Sequence, residues 1–534
     1  MFEKISRREF IKTAALTTFA FAATNFFDRD ANAAKTCTAR TRYGIYNGFV
    51  GKRGVQTWLG IPYAKPPVGA LRWHAPEKLE PSNKTFDAKK FGASPIQDHD
   101  PIEPASLLEQ SEDCLTLNIF TRGAAKNLPV MVYIPGGGFV NGGSADPLYN
   151  GTNPAAAHDV VVVTINYRLN IFGFMHFASI DSSFEDSGYL GIKDQVAALT
   201  WVKENIEHFG GDPDNVTIFG ESAGSISAML LSVTSAAQGL FGKAIAESGH
   251  LSFYHEPQYS AELADAFMAL SGCKKMAELT AKPAAELEQI YEKFCAANPL
   301  VSEVGFLPTC DGKFLPKLPF KALKDGAGKG IKLLTGTTHD EYGYWSLYYK
   351  NFMNTLPEKH AGLTSVVYAA EGWKLDDVYA VWKKNHAELA EDKRYFEFTN
   401  QLDWRVGQEL CAEYQSAFDD VYFYLFSQKA SVNDLGSCHA VDLPFVFGNP
   451  SPDIEPHPSA KLVKQVQAAW ASFAATGNPN NALIPQWTPY TAADRQTMEI
   501  NSKAWACHKD LNADNLKALR GVYEENLLGT VGKQ

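Results

Sequence analysis

These 534 residues contain no C-x-x-C, no H-E-x-x-H, and no G-x-G-x-x-G following a strand-like run. The usual sequence footings of thiol redox chemistry, a helix-borne zinc site and a dinucleotide cofactor are therefore absent. Basic charge is also short. Lys and Arg number 49 against 60 Asp and Glu, a formal net charge of −11, and a surface of that sign does not attract nucleic acid or anionic membranes. No apolar run after the leader is long enough to cross a bilayer, so stable membrane insertion is not expected. Internal repeats and low-complexity tracts are missing as well. What is left, 45% hydrophobic and 20% charged, is the composition of a soluble globular protein with a large core.

The first segment reads as targeting. Ser6-Arg7-Arg8-Glu9-Phe10-Ile11-Lys12 precedes a short, weakly apolar stretch from Thr13 to Phe27, and Ala31-Asn32-Ala33 offers a small-x-small cleavage pattern. The segment resembles a twin-arginine export signal, so the mature chain is expected to begin near Ala34, in the periplasm or outside the cell. The competing reading is a basic amphipathic N-terminus. Residues 1–33 are thus expected to be a signal peptide and 34–534 a single domain.

The strongest local signal is Asn215-Val216-Thr217-Ile218-Phe219-Gly220-Glu221-Ser222-Ala223-Gly224. A β-branched and aromatic run leads straight into G-x-S-x-G, and Ser225 to Leu231 can continue as a helix packed through Ile226, Met229 and Leu230. Gly220 and Gly224 lack Cβ atoms, so strand and helix can approach closely while Ser222 occupies a strained turn with its Oγ exposed. Upstream, Pro129–Ile134 and Val160–Ile165 read as strands buried on both faces of a mainly parallel sheet. The first ends in Pro135-Gly136-Gly137-Gly138-Phe139, whose unobstructed N–H groups suit an oxyanion. No Lys-Ser or Lys-Thr follows at the spacing of a phosphate loop.

The rest of the chain repeats the grammar of strand, crossover helix, strand. Gly191 opens a helix with an apolar face through Val196, Leu199, Val202, Ile206 and Phe209. Strands are expected at Lys243–Ala246, Lys332–Gly336 and Val421–Leu425, with helical insertions over roughly Ser260–Ala297 and Leu375–Phe418. An antiparallel start is expected from Ile45 to Pro62. Gln97 to Asp113 is acidic and without period, either a solvated loop or the rim of a pocket that disfavours anions. Tyr342, Tyr344, Trp345, Tyr348, Tyr349 and Phe352 crowd one stretch and are either core or the wall of an apolar pocket.

The chain resembles a type-B carboxylesterase of the α/β-hydrolase superfamily, the group that includes para-nitrobenzyl-type esterases and cholinesterases. The resemblance rests on Gly60 to Trp73, Ser111-Glu112-Asp113-Cys114-Leu115-Thr116-Leu117-Asn118, Gly136 to Phe139, Asn166-Tyr167-Arg168, Phe209-Gly210-Gly211-Asp212-Pro213 and Gly220 to Gly224, in that order. It implies a central, mostly parallel sheet flanked by helices, and hydrolysis of small-molecule carboxylic esters with neither cofactor nor metal. It further implies Ser222 as nucleophile, Glu341 as acid and His439 as base, with oxyanion donors at Gly137, Gly138 and Ala223. Spacing alone does not choose between Asp340 and Glu341; the family match favours Glu341. Glu221, Ser248 and Asp442 are placed near one another behind these groups.

The family position also implies disulfides joining Cys411 with Cys507 and Cys273 with Cys295, against the alternative that none forms, and leaves Cys114 and Cys438 as buried thiols. The family's cysteine near Pro95 is missing, and so is any tryptophan between Gln97 and Asp113, which makes choline esters poor candidates. Two other readings stay open: a recognition protein that keeps the fold without turnover, and a lipase acting at interfaces.

Overall fold

The computed structural model describes residues 35–527, apart from 101, 124, 299–304, 350, 351, 353–355 and 358–374. The export-signal reading of residues 1–33 lies outside the described residues.

Thirteen strands form one sheet: β1 Thr36–Thr41, β2 Gly44–Val50, β3 Gln56–Pro62, β4 Thr85–Asp87, β5 Thr116–Thr121, β6 Leu128–Ile134, β7 Val161–Ile165, β8 Gly211–Glu221, β9 Lys243–Glu247, β10 Lys332–Thr338, β11 Val421–Phe426, β12 Gln496–Ile500 and β13 Trp505–Lys509. The order is 1-2-3-5-7-6-8-9-10-11-12-13, with β4 beside β2. From β7 to β12 every pairing is parallel. The opening strands pair antiparallel, as the alternating, glycine-broken sequence from Ile45 predicts.

The central strands send alternate residues to opposite faces. In β6, Val130, Val132 and Ile134 join one core, while Met131 and Tyr133 join the other. Both faces are therefore covered, which is why these strands read as unbroken apolar runs. The crossover helix spans Leu190–Asn205. A 3-10 turn over Ile206–Phe209 follows, and Gly210, at φ 89°, closes it in a conformation that costs glycine little. The helix after Ser222 spans Ala223–Ser232 and all ten of its residues are buried, rather than the one apolar face expected of Ile226, Met229 and Leu230.

Two buried ion pairs explain motifs whose purpose the sequence leaves open. Arg168 clasps Asp194 through two bonds of 2.8 and 2.6 Å and reaches the His74 carbonyl at 2.9 Å, so the loop after β7 is tied to the crossover helix. Arg72 clasps Glu112 at 2.5 and 2.6 Å and donates to the carbonyls of Thr280 and Lys282, fixing the first helical insertion to the sheet.

The expected disulfides are not formed. None of the eight cysteines, all among the described residues, is cross-linked. Cys411 is fully buried within a core cluster on one face of the sheet, while Cys507 packs against the cluster on the other face and directs its thiol to Gln496 Oε1 at 3.3 Å. Cys273 points to the Ser271 carbonyl and Cys295 packs into the first insertion. Cys114 and Cys438 are buried thiols as expected, and burial pushes both up in pKa.

Candidate active site

In parallel register Ile134 lies beside Gly220, Glu221 beside Glu247, and Gly336 beside Glu247. The carboxyl ends of β6, β8, β9 and β10 are thereby level. The glycine run, Ser222, Ser248 and Glu341 all leave the sheet at this edge, where open α/β sheets bind ligands.

Ser222 sits in the turn with φ 57° and ψ −122°, backbone geometry strained for any residue with a Cβ. Its N–H donates to the Glu247 carbonyl at 2.9 Å. A Cβ on Gly224 would lie 2.0 Å from the Ile134 carbonyl oxygen, and one on Gly220 would lie 2.6 Å from the Gly224 backbone. Only glycine allows strand and helix to meet this closely. Gly137 and Gly138 have φ of 108° and 60°. Their N–H groups, and that of Ala223 at the first helical position, donate to no backbone carbonyl. Gln97 accepts from Gly142 N and donates to Gly142 O, both at 2.8 Å, locking the acidic loop beside the glycine run.

Glu341 and His439 are brought together by two loops that clasp each other through Asp340 N to Ser437 O and His439 N to Glu341 O. Glu341 Oε2 lies 2.6 Å from His439 Nδ1, while its Oε1 accepts from Ser248 Oγ at 2.7 Å and Thr338 N at 2.8 Å. Three donors on one buried carboxylate leave it a single orientation. Asp340 turns away, accepting from Ser437 N at 2.8 Å and pairing with His339 Nδ1 at 2.9 Å. Burial raises Asp340, but the His339 bond and charge, the Ser437 N–H and Lys429 together outweigh it and hold the carboxyl below its ordinary range.

His439 Nε2 stands 3.0 Å from Glu221 Oε1, out of line for a hydrogen bond, and neither atom has a hydrogen-bond partner. Glu221 is pushed well above the carboxylate range by burial and then by Asp442, Glu341, Glu247 and Glu103. Asp442, fully buried and accepting from Tyr424 Oη at 3.1 Å, is raised to about 6 by burial and by Glu341. Asp442 is near enough to Glu221 to raise it, while Ser248 bonds to Glu341. Glu247 was not legible in the sequence: it is a second buried carboxyl, raised by burial and Asp442, whose Oε1 accepts from Trp470 Nε1 at 2.6 Å.

Ser222, Gly137, Gly138, Ala223, Glu221 and His439 open on one cavity of about 360 Å³, within the range of small-molecule sites. Tyr342, Tyr344, Trp345, Tyr348 and Tyr349 line it, whereas Phe352 packs behind Tyr342. Asp98, Asp100 and Glu103 of the acidic loop are on the wall with Asp146, and among the described residues no Lys or Arg is. Burial, then Asp100 and Asp146, push Glu103 up to about 8, with Tyr344 Oη donating to it at 3.1 Å.

Against known proteins, residues 35–519 match the model of the carboxylesterase family. The chain belongs to that family. It is 38% identical over 479 residues to the para-nitrobenzyl esterase of Bacillus subtilis, covering 87% of this chain and 94% of that protein. It is 33% identical over 488 residues to a human cocaine esterase, covering 84% of each. A Geobacillus stearothermophilus carboxylesterase structure superposes with a TM-score of 0.79 at 34% identity, covering 90% of this chain and 99% of that one. The fold of this carboxylesterase is that of the α/β-hydrolases, and the protein is a carboxylic ester hydrolase. Among the described residues no helix is long and apolar enough to cross a membrane, and no cluster of three or more His, Cys, Asp and Glu could hold a metal ion.

Proposed function

We propose that ester hydrolysis runs through an acyl-enzyme on Ser222, with His439 as general base and Glu341 as the acid that orients it. The observation that carries this is the 2.6 Å contact of Glu341 Oε2 with His439 Nδ1 at the cavity where Ser222 is strained outward. With a carboxylate on Nδ1 the imidazole carries its proton there and leaves Nε2 as the basic nitrogen. Nε2 accepts the hydroxyl proton as Oγ attacks the ester carbonyl, and returns it to the departing alcohol. The N–H groups of Gly137, Gly138 and Ala223 hold the oxyanion, a term worth about 3 to 4 kcal/mol for each donor lost in comparable enzymes. Water then releases the acid by the same steps in reverse.

The cavity wall narrows the substrate. Its rings favour short-acyl and aryl esters, and its carboxylates disfavour esters carrying a negative charge. A panel of para-nitrophenyl esters tests both points. Ser222→Ala should abolish turnover, acetate and butyrate should exceed palmitate, and a succinate half-ester should be poorer than its uncharged analogue. Activity surviving Ser222→Ala, as against background hydrolysis, would sink the mechanism. A jump in rate above a micelle threshold would favour a lipase.

Residues 34–534 form, on this reading, one α/β-hydrolase domain exported behind a twin-arginine signal. Replacing Arg7 and Arg8 by Lys should leave an uncleaved precursor in the cytoplasm, and normal export of that variant would refute the signal.

A further inference from the structure

From Glu391 to Gln415 the second insertion is one continuous helical path with a π-turn in its middle. Helix Glu391–Asn400 passes into a π-helical turn at Gln401–Arg405 and on into helix Val406–Gln415, with right-handed helical angles at both joints. Single π-turns widen a helix, release carbonyls from its ladder and gather at functional sites. Here the carbonyls are taken up by side chains from elsewhere. Asp403 O accepts from His250 Nε2 at 2.7 Å, and Leu402 O accepts from Tyr523 Oη. Burial lowers His250 to about 4, so its neutral ring donates through Nε2 and meets Ser252 Oγ at Nδ1. The Asp403 carboxylate accepts from Tyr342 Oη and Asn400 Oδ1 from Tyr342 N. The turn is pinned on every side.

What the pinned turn presents to the cavity is Trp404. Its ring centroid lies 4.5 Å from that of His439 at an interplanar angle of 48°. Trp345 follows at 5.4 Å and 35°, and the two indoles are 5.9 Å apart. Phe253 backs Trp404 at 5.5 Å. The Trp404 N–H makes no hydrogen bond, so the ring offers its π face.

We propose that Trp404 is a positioning residue for His439: the π-turn sets its indole, with that of Trp345, against the imidazole, holding the ring in plane and stabilising the imidazolium formed when Ser222 loses its proton. The inference rests on the assignment of His439 as general base. An indole face attracts a cation within about 6 Å of its centroid, and only the protonated base carries that charge, so the interaction strengthens toward the transition state. The other titratable groups around the imidazole and its cage are Glu341 at Nδ1, Glu221 at Nε2, Asp442 on the following turn, the Tyr344 ring at 6.0 Å, and Asp403, turned to Tyr342. None of them changes when only the electron density of the Trp404 ring is altered.

Mono- and trifluorinated tryptophan placed at position 404 of the full chain preserve shape while draining the π face. With para-nitrophenyl butyrate, kcat should fall stepwise with fluorine number, about 3- to 10-fold in all. The acid limb of the pH profile should move toward lower pH by about half a unit, because the imidazolium loses support. Trp404→Phe should lie between parent and Trp404→Leu. Fluorinated enzymes that match the parent, that change KM alone, or that lose kcat with an unmoved acid limb would each overturn the proposal. Turnover surviving in Ser222→Ala would instead strike the mechanism beneath it.

Discussion

At the residue scale two adjacent carboxylates differ in direction. Asp340 and Glu341 are neighbours, yet only Glu341 faces His439 while Asp340 spends its oxygens on Ser437 N and His339. Glu341→Gln should therefore lose several orders of magnitude in kcat, since an amide favours the wrong imidazole tautomer and does not stabilise the imidazolium, a loss of about 10⁴ in serine proteases. Asp340→Asn should keep substantial activity. Steady-state turnover of para-nitrophenyl acetate by both folded variants checks the ranking. The strained turn at Ser222 was readable because strand, glycines and helix are adjacent in sequence, whereas the direction of Glu341 was not, since spacing alone left it equal to Asp340. Glu247 was not, because a glutamate closing a strand looks solvent-facing until Trp470, distant in sequence, caps it.

At the scale of elements, the loop after β7 depends on a buried charge pair, Arg168 at 3% and Asp194 at 0% exposure. Removing one partner strands the other in a medium that cannot solvate it. Arg168→Met should lower unfolding free energy by about 3 to 5 kcal/mol, and the double variant with Asp194→Leu should recover much of that. Urea denaturation of the single and double variants reads the difference; a double variant no better than the single would contradict it. Elements were legible where pattern is local: β6 to β11 and the crossover helix follow apolar periodicity. The π-turn at Gln401–Arg405 was not, since it leaves no periodic mark of its own and Trp404 reads like any core aromatic. Strands β12 and β13 and helix Ala460–Thr476 were likewise passed over, because nothing in a short strand at a sheet's far edge announces its partner. The implied disulfides failed for a related reason, since family position says nothing about which face of this sheet each cysteine occupies.

At the scale of the whole molecule, the buried carboxyls set a pH dependence. Asp146 and Asp442 are each raised to about 6 by burial and Glu103 to about 8, and burial holds Glu221 and Glu247 well above the ordinary carboxylate range. A carboxyl unfolded in water titrates near 4, so above that pH the folded state holds more protons than the unfolded one. Stability then falls as pH rises, from about 4 to about 8, and the fall ends once the folded groups ionise. The urea midpoint should drop between pH 5 and pH 8, and Asp146→Asn should remove on the order of 1 to 3 kcal/mol of that drop. A midpoint that is flat or rises over this interval would contradict the burial of these acids as neutral groups.

The central claim is that Ser222 carries the acyl group, and covalent trapping tests it most directly. The protein would be inactivated with diethyl para-nitrophenyl phosphate, weighed intact and mapped by peptide mass spectrometry. One diethylphosphoryl group per chain is expected, on the peptide containing Gly220-Glu221-Ser222-Ala223-Gly224, in proportion to lost activity and absent from Ser222→Ala. An adduct at another residue that tracks inactivation, or full esterase activity with Ser222 modified, would contradict the account.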